Sequence, residues 1–275
     1  MPEAPDLEVI KDVLNRRVRG QAITGARVLK PLELRVLASD DFVSDVAGRS
    51  VLDFTRRGKF LMADLSGDRT LVINPMLTGA VQLCPPSTRI AKRTSFLLDL
   101  ADGNQLRYLD DTQMGMAYYL HTSRLEEAPR LAEQGPDVLD EYPALPEFRE
   151  RLRRFQGEIK GVLTRGRFLA GIGNAYADET LFAAGIFPFK KRSALSDSET
   201  ARLHEAIPAV LNHAIATLRK RMGDETHVKV RDFLAVHGKS GGPCPRCGGP
   251  ITNIGANRRL TNFCRRCQPG LLLRN

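Results

Sequence analysis

The sequence predicts an α+β multidomain protein with an N-terminal β-sandwich, a helical middle domain and a C-terminal zinc ribbon. Three patterns support this prediction. Short apolar segments typical of strands follow one another up to about residue 122. Apolar residues at helical spacing dominate from residue 145 onward. Four of the five cysteines lie close together near the C-terminus, as in a metal-binding module.

The N-terminal part of the chain combines one helix with a series of strands. Apolar residues recur at helical spacing from Leu7 to Val18, and Gly20 follows as a stop signal. Later segments have the composition of short strands. They are residues 60–65, 70–73, 96–100 and 105–108. The last two flank a turn at 102–104, which predicts a hairpin. Several short strands in succession predict a β-sandwich, with a barrel as the alternative.

The part of the chain after residue 134 is predicted to be helical. A proline-rich segment at 134–147 is the predicted linker. An apolar stripe at helical spacing runs from Leu145 to Phe155. Ser196 and Glu199 have the spacing of a capping box, which predicts the start of a long helix.

The charge indicates a class of partner. The 275 residues carry a formal net charge of +9. Each phosphate that a protein neutralises releases condensed counterions, so this charge suits nucleic acid, although it can equally serve solubility alone. The distribution is more informative than the total, because basic but no acidic residues follow Asp232. A terminal segment of one sign favours a nucleic-acid contact.

The lack of recognisable sorting signals predicts where the protein is located in the cell. No apolar run is long enough to span a bilayer, and the N-terminus lacks the basic and then apolar pattern of a secretory signal. We therefore expect a cytoplasmic protein without a membrane partner, associated with the nucleoid if the source is bacterial.

Four cysteines form two C-x2-C pairs. Cys244 and Cys247 make the first pair, and Cys264 and Cys267 make the second. Four thiolates in this pattern surround one Zn²⁺ tetrahedrally and leave no open position for water, so the site is predicted to be structural. The metal would supply much of the folding free energy of so short a segment. Ribbons of this kind occur in proteins of many functions, so the ribbon identifies none of them.

Residues 171–180 are predicted to form a glycine-containing loop that enters a helix. Asn174 is the predicted N-cap, Asp178 and Glu179 suit the first turns, and Gly185 is the predicted end. Free backbone amides at such a helix start can bind a DNA phosphate. An ordinary capped helix explains the same pattern.

In combination, these segments resemble the formamidopyrimidine-DNA glycosylase/endonuclease VIII family of DNA-repair enzymes. The opening Met-Pro-Glu-Ala-Pro-Asp is similar to the family's Met-Pro-Glu-x-Pro-Glu. Further matching motifs follow in the family's order over nearly the whole chain. They are residues 57–61, 159–160, 171–186 (similar to the helix–two-turn–helix motif), 236–239 and 263–268.

The resemblance implies how the chain divides and what it binds. We expect a catalytic β-sandwich domain at 1–133, a linker at 134–147, a helix–two-turn–helix DNA-binding domain at 148–238 and a zinc-ribbon finger at 239–275. One structural Zn²⁺ is the expected cofactor. Damaged double-stranded DNA is the expected partner, and the protein is expected to be a monomer.

The resemblance also implies a bifunctional DNA glycosylase and abasic-site lyase. Removal of Met1 would expose Pro2, whose secondary amine attacks the sugar C1′ and forms a Schiff base. An α-amino group has a reference pKa near 8, so an unprotonated fraction exists at neutral pH. Glu3 is the acid/base that helps to open the deoxyribose ring. Lys59, placed on a strand, supports proton transfer during elimination; a solvated lysine beside a core strand is the alternative.

Other residues are assigned to DNA contacts on the same basis. Arg259 corresponds to the ribbon arginine that holds a phosphate and assists the second elimination, and Arg258 is its rival for that role. Asn174 corresponds to a phosphate contact and Lys160 to the damaged-nucleotide site. The target nucleotide must leave the stack to reach the nucleophile, so base flipping is implied.

Two loops depart from the family pattern. Residues 74–79 read Asn-Pro-Met-Leu-Thr-Gly in place of His-Leu-Gly-Met-Ser-Gly, and 110–115 read Asp-Asp-Thr-Gln-Met-Gly in place of Asp-Pro-Arg-Arg-Phe-Gly. The arginine that reads the opposite base and the phenylalanine beside it are therefore absent. Met76, Leu77 and Met114 can still act as apolar wedges. Oxidised purines, oxidised pyrimidines and abasic sites all stay open as preferred substrates.

Two other functions fit part of the sequence. A non-catalytic damaged-DNA-binding zinc protein would keep the scaffold and the ribbon without forming a covalent intermediate. An RNA-binding ribbon protein would fit the charge and the C-terminal end. The second alternative gives no reason for Pro2, Glu3 and Lys59 to occur together.

Overall fold

The computed structural model describes residues 1–255 and 260–270. It divides into two compact units. The first unit contains Met1–Glu133 and Ile215–Val230, and the second contains Gln134–Ala214 and Arg231–Asn275. In the part of the chain that the structure describes, no helix is both long and apolar enough to cross a membrane.

The first unit begins with a helix and continues into nine strands. Helix α1 spans Ala4–Val18, and the short helix α2 spans Phe42–Val46. The strands are β1 Ile23–Val28, β2 Leu34–Val36, β3 Val51–Arg57, β4 Phe60–Leu65, β5 Arg69–Asn74, β6 Ala80–Cys84, β7 Thr94–Leu100, β8 Gln105–Leu109 and β9 Met116–Leu120. All four predicted strand segments lie in β4, β5, β7 and β8, and the predicted hairpin joins β7 to β8.

The strands form two sheets, which confirms the predicted sandwich. One sheet has the order β1-β7-β8-β6, and the other has the order β2-β9-β5-β4-β3. Phe42 packs edge-on against Phe96 of the first sheet and Tyr119 of the second, with ring centroids 6.1 and 5.0 Å away. Edge-to-face packing at these distances is favourable, so aromatic contacts help to join the two sheets.

The second unit is helical and ends in a β-hairpin. Its helices are α3 Leu145–Arg153, α4 Ile159–Leu163, α5 Asn174–Ala184 and α6 Asp197–Arg221, whose last residues belong to the first unit. The hairpin consists of β10 Ile251–Ile254 and β11 Thr261–Cys264. Before α6, Ser196 N donates to Glu199 at 2.8 Å and Glu199 N donates to Ser196 at 3.2 Å, which confirms the capping box.

The start of α5 differs from the sequence prediction. Gly173, with φ −121° and ψ −157°, occupies the N-cap position, and Asn174 is the first helical residue. The prediction that Asn174 caps the helix is therefore wrong. The Asn174 side-chain amide instead donates to the carbonyl oxygen of Leu260 at 2.8 Å. The predicted end at Gly185 is confirmed, because its φ of 69° ends the helix in the left-handed conformation that favours glycine.

Candidate active site and zinc centre

Pro2 lies buried directly before α1. It lines a cavity of about 20 Å³ together with Asp6, Gly79, Thr226 and His227, all from the first unit. A cavity of this size holds about one water molecule. Pro2 therefore borders a small and confined space within the first unit.

Glu3 is held by the helix that follows it. Its side chain is buried and accepts a hydrogen bond from the backbone N–H of Asp6, while the N–H of Glu3 donates to the Asp6 carboxylate at 2.8 Å. This reciprocal pair is a capping box, which satisfies two amides at the start of α1. Glu3 thus has a structural role that is separate from any chemistry.

Lys59 lies in the two-residue turn between β3 and β4, beyond the strand on which the sequence placed it. Gly58, the first residue of this turn, has a φ of 58°, as a type II′ hairpin turn requires. Burial lowers the pKa of the Lys59 ammonium below its ordinary value, and the attraction of the Glu3 carboxylate offsets only part of that shift. Glu3 and Lys59, two of the predicted catalytic residues, therefore interact electrostatically.

Arg56 connects α1 with the turn that carries Lys59, and the sequence reasoning missed it. Its side chain is 1% exposed, its Nε lies 2.9 Å from a Glu8 carboxylate oxygen, and its Nη1 donates to the Gly58 carbonyl at 3.3 Å. The available signal was the alternation of β3, in which Arg56 falls in phase with the buried Phe54.

A second link fixes the far end of α1. The Asn15 side chain accepts from Phe54 N at 2.7 Å and donates to the Phe54 carbonyl at 2.8 Å. Two polar side chains of α1 therefore fix its register on β3. The start of α1, with Pro2 and Glu3, is positioned beside the Lys59 turn as a result.

The two loops that depart from the family pattern are tied together by Asp110. Burial would raise the pKa of this carboxylate, but hydrogen bonds from the Thr78 hydroxyl and from the Gly115 and Thr112 amides outweigh it and hold the pKa low. The two threonine hydroxyls also lie 2.7 Å apart. The loops 74–79 and 110–115 therefore act as one connected element.

Both loops contain a residue in the left-handed region. Met76 has a φ of 44° and Gln113 a φ of 54°, conformations that are uncommon outside glycine and often occur at functional sites. Met76 and Leu77 are half-buried, whereas Met114 is 50% exposed. The apolar side chains predicted as wedges thus differ in exposure.

The four predicted zinc ligands come together in the second unit. The Sγ atoms of Cys244, Cys247, Cys264 and Cys267 all lie within 4.8 Å of one another. Two of the separations are 3.8 Å (Cys244 to Cys267) and 3.5 Å (Cys247 to Cys264). A tetrahedral Zn²⁺ with bonds of about 2.3 Å needs sulfur atoms about 3.8 Å apart, so the cluster fits one structural zinc ion.

The surroundings of Cys247 favour its thiolate, whereas burial raises the pKa of the Cys264 and Cys267 thiols. The backbone N–H of Gly249, followed by the Cys264 thiol, lowers the pKa of the Cys247 thiol to about 7. Zinc binds cysteine as thiolate, so a group that stabilises the charged sulfur assists binding. Cys84 lies apart from this cluster, buried in β6.

The root of the ribbon hairpin is bound to α4 and α5 through a buried network. Lys160 Nζ lies 2.7 Å from a carboxylate oxygen of Asp178 and donates to Thr261 Oγ1 at 2.9 Å and to the Leu260 carbonyl at 3.1 Å. Asp178 also accepts from the backbone N–H of Asn262 at 3.2 Å. From the sequence alone, Asp178 is predicted only to complement the dipole of α5.

Glu179 has a comparable role beside it. Its carboxylate accepts three backbone N–H groups, from Ala235, Val236 and His237, at 2.7 to 2.9 Å. The signal that could have revealed both acids is their place in a helix of otherwise mostly apolar residues, where a charged side chain needs a defined partner. Arg258 and Arg259 lie outside the described residues.

Models of known protein families match almost the whole chain. The model for the formamidopyrimidine-DNA glycosylase N-terminal domain matches residues 1–117, and that for the formamidopyrimidine-DNA glycosylase H2TH domain matches residues 134–225. The zinc finger found in FPG and IleRS matches residues 241–270. The formamidopyrimidine-DNA glycosylase of Pelotomaculum thermopropionicum is 33% identical and covers 98% of this chain and 99% of its own. That of Moorella thermoacetica is 37% identical, with coverage of 92% and 94%.

Solved structures agree with these matches. The Lactococcus lactis Fpg protein in complex with DNA containing an abasic site has a TM-score of 0.87 at 29% identity, covering 98% of this chain and 100% of that one. A complex of the same protein with DNA containing an oxidised pyrimidine has a TM-score of 0.87 at 30% identity and the same coverage. The resemblance inferred from sequence motifs is confirmed, and the chain belongs to the formamidopyrimidine-DNA glycosylase family.

Proposed function

We propose that the chain is a bifunctional DNA glycosylase and abasic-site lyase that acts on damaged double-stranded DNA in base excision repair. The observation that carries this proposal is the joint placement of Pro2, Glu3 and Lys59. Arg56 fixes α1 against the Lys59 turn, and Glu3 and Lys59 interact electrostatically. The relatives of similar length are named as formamidopyrimidine-DNA glycosylases, which supports the same reaction class.

The first half of the proposed reaction replaces the bond from the sugar to the base. After Met1 is removed, the secondary amine of Pro2 attacks C1′, and the C1′–N bond to the damaged base breaks with its electron pair leaving on the base. The Pro2 nitrogen loses its N–H proton to the departing base, and its restored lone pair forms a double bond to C1′ as the deoxyribose ring opens and Glu3 donates a proton to the ring oxygen. The product is an iminium ion between the Pro2 nitrogen and C1′.

The second half cleaves the strand. The iminium makes the 2′ proton acidic, and its removal expels the 3′ phosphate. A second elimination, in which the 4′ proton is lost, then expels the 5′ phosphate. Lys59 is proposed to accept the 2′ proton in its neutral form, because burial lowers the pKa of its ammonium and so makes the neutral amine accessible at a lower pH than for an ordinary lysine. Arg259 is the proposed partner of the phosphate during the second elimination. Hydrolysis of the iminium restores the Pro2 amine.

Residues of both units are proposed to hold the DNA. In the second unit, Asn174, Lys160 and Arg258 are assigned to the phosphate and to the damaged nucleotide. In the first unit, Met76 and Leu77 are assigned to the gap that the flipped nucleotide leaves. The four segments 1–133, 134–147, 148–238 and 239–275 stay our proposed domain division. A monomer in the cytoplasm, associated with the nucleoid in a bacterial host, fits this reaction.

The Glu3→Gln variant separates the chemistry of Glu3 from its role in the helix. Glutamine keeps the acceptor that the Asp6 amide needs, so α1 stays capped, but it loses the transferable proton. We expect base excision to slow by about 10²- to 10⁴-fold, with a melting temperature close to that of the wild type. Single-turnover kinetics and a thermal melt measure both. A rate within twofold of the wild type would remove Glu3 from the mechanism.

The pH dependence of strand cleavage tests Lys59. A lowered pKa means that the Lys59 ammonium loses its proton at a lower pH than an ordinary lysine. A step that needs neutral Lys59 therefore reaches its plateau below the usual lysine pKa of about 10.5. On a pre-formed abasic duplex, we expect the rise of the cleavage rate with pH that leads to this plateau to disappear in the Lys59→Met variant. If Lys59→Met keeps the wild-type profile, proton transfer belongs to another group.

A panel of duplexes tests the function as a whole. Duplexes with an abasic site, 8-oxoguanine, a formamidopyrimidine or an oxidised pyrimidine report base release and strand cleavage separately, and an RNA competitor reports the class of nucleic acid. We expect release of at least one damaged base followed by strand cleavage, and preference for DNA. Binding without release or cleavage would instead identify a non-catalytic damage binder.

A further inference from the structure

The hydroxyl of Tyr108 approaches both loops that depart from the family pattern. We call 74–79 the first loop and 110–115 the second loop. Tyr108 belongs to β8 and is 1% exposed. A Cβ added at Gly79, the last residue of the first loop, would lie 2.6 Å from the hydroxyl oxygen, and one added at Gly115, the last residue of the second loop, would lie closer still. The hydroxyl therefore occupies space that these two glycines leave open.

Space, and not backbone conformation, accounts for the two glycines. Neither Gly79 nor Gly115 has a φ in the left-handed region, so alanine could adopt the backbone conformation at either position. At Gly115 the atom nearest to an added Cβ is the Tyr108 hydroxyl oxygen, whereas at Gly79 two backbone atoms of Pro75 are nearer than that oxygen. The approach of Tyr108 is therefore the main restriction at Gly115 and only one of several at Gly79.

The Tyr108 hydroxyl has no hydrogen-bond partner among the residues that the structure describes. Burial, followed by the Asp110 and Glu33 carboxylates, raises the pKa of this hydroxyl, so it stays neutral. A buried hydroxyl without a partner lowers stability, because nothing compensates for the loss of its water. Phenylalanine would pack the same ring without that loss. Contact with the two loops therefore explains the hydroxyl better than the stability of the sheet does.

Asp110 joins the same loops through hydrogen bonds. Its buried carboxylate accepts from the Thr78 hydroxyl in the first loop. In the second loop it accepts from the backbone N–H groups of Thr112 and Gly115, at 3.1 and 2.7 Å. Asp110 thus keeps the loops from separating, and the Tyr108 hydroxyl keeps them from moving into the space that it fills. These opposed restraints define one relative position of the two loops.

We propose that Tyr108 and Asp110 are positioning residues that fix the first loop on the second, so that Met76 and Leu77 enter the DNA on one rigid element. The inference rests on the proposed function, in which these two apolar side chains fill the gap that the flipped nucleotide leaves. The φ of 44° at Met76 is a strained conformation, and such conformations persist only where the surroundings determine them. The connection to the second loop supplies that restraint.

The first test compares stability and reaction rate in Tyr108→Phe. We expect a melting temperature equal to or above that of the wild type, because a hydroxyl without a partner is removed. We expect the single-turnover rate of base excision at saturating protein to fall about tenfold, because the apolar side chains are displaced. A role in stability alone would not combine these two results. The matched control Tyr118→Phe, in β9, keeps the wild-type rate, and a wild-type rate in Tyr108→Phe would overturn the proposal.

The loss of rate has to depend on the apolar side chains of the first loop. In a Met76→Ala/Leu77→Ala background, we expect Tyr108→Phe to slow base excision by less than a further twofold, because the side chains that it positions are already gone. An equal loss in both backgrounds would contradict the proposal, since independent effects add.

The Gly115→Ala variant tests the packing in the absence of DNA. Once Tyr108→Phe has removed the hydroxyl, the nearest atoms to the new methyl group are a carboxylate and a carbonyl oxygen at 3.0 and 3.1 Å, which small shifts relieve. We expect Gly115→Ala to lower the melting temperature by more than about 5 °C in the wild-type background and much less in Tyr108→Phe. Gly79→Ala is the matched control without rescue, because the Pro75 backbone excludes its methyl group in both backgrounds. An equal fall for Gly115→Ala in both, or failure of both proteins to fold, would contradict the proposed packing.

A fluorescent reporter separates this inference from the proposed function. The chain has no tryptophan, and Met114 in the second loop is 50% exposed, so Met114→Trp introduces a single reporter. Thr78→Val removes the first-loop hydroxyl that donates to Asp110. We expect Thr78→Val and Tyr108→Phe each to lower the fluorescence anisotropy of the reporter. Unchanged anisotropy would overturn the link between the loops, whereas lowered anisotropy in a protein that does not act on DNA would refute only the proposed function.

Discussion

The Pro2→Gly variant is expected to lose strand cleavage and covalent trapping while it keeps most of its affinity for an abasic duplex. Glycine retains an α-amino group, but it lacks the ring that restricts φ and that packs against the small cavity beside Asp6. The amine is then a primary one without a fixed position, and accurate placement supplies much of the rate of a covalent step. Gel-based cleavage and borohydride trapping measure the chemistry, and a binding titration measures the affinity.

A second variant removes the amine without changing Pro2. An extension of the chain ahead of Met1 that resists processing turns the Pro2 nitrogen into an amide, which has no lone pair available for attack. We expect this protein to be as inactive as Pro2→Gly and to fold normally. Full cleavage by the extended protein would refute an N-terminal nucleophile.

The Cys264→Ser variant is expected to lose its zinc ion and, with it, most of its affinity for DNA. The cysteines of the cluster pack with Phe182, Val236 and Ile251, a core too small to hold the ribbon without a metal. Structural zinc contributes about 10–16 kcal/mol of apparent binding free energy in zinc-finger peptides, so its removal unfolds such modules. We expect the metal content to fall from one per chain to near zero and the affinity to fall at least tenfold.

Cys84→Ser provides the matched control for this experiment. Cys84 is also buried, but it lies in β6 of the first unit, outside the cluster. We expect this variant to keep one zinc ion and wild-type affinity. A Cys264→Ser protein that keeps its zinc, or that loses zinc without losing affinity, would show that the ribbon is not required for DNA binding.

Local patterns predicted those parts of the fold that depend on neighbouring residues. The capping box at Ser196, the stop at Gly185 and the strand segment 60–65 each depend on residues a few positions apart. The N-cap of α5 was misplaced by one residue. The reason is tertiary, because the Asn174 side chain bonds to Leu260, 86 positions away, and so is not available for its own helix.

Short motifs in the sequence predict candidate site residues, but they do not predict contacts between distant residues. Pro2, Glu3 and the four cysteines are predicted from short motifs, and the structure brings the four cysteines together. The Arg56–Glu8 pair spans 48 positions, and the contact between Lys160 and Thr261 spans 101. Neither partner in such a contact has a local pattern that indicates the other. Residues that hold other parts of the site in place were therefore identified only from the structure.

The departure of the two wedge loops from the family pattern has a structural counterpart. Asp110 joins the loops in the structure, and Met114 is the more exposed of the apolar candidates, whereas Met76 and Leu77 are half-buried. In loop 110–115, Thr112 and Gln113 stand at the positions of the two arginines of the family pattern.

The most direct test of the account is to trap the wild-type protein on an abasic duplex with borohydride, digest the product and identify the modified peptide by mass spectrometry. Reduction fixes the iminium as a stable amine bond at the nucleophilic nitrogen. We expect a single adduct on the N-terminal peptide that begins with Pro2. An adduct on Lys59 or another lysine, or DNA binding without any adduct, would contradict the proposed mechanism.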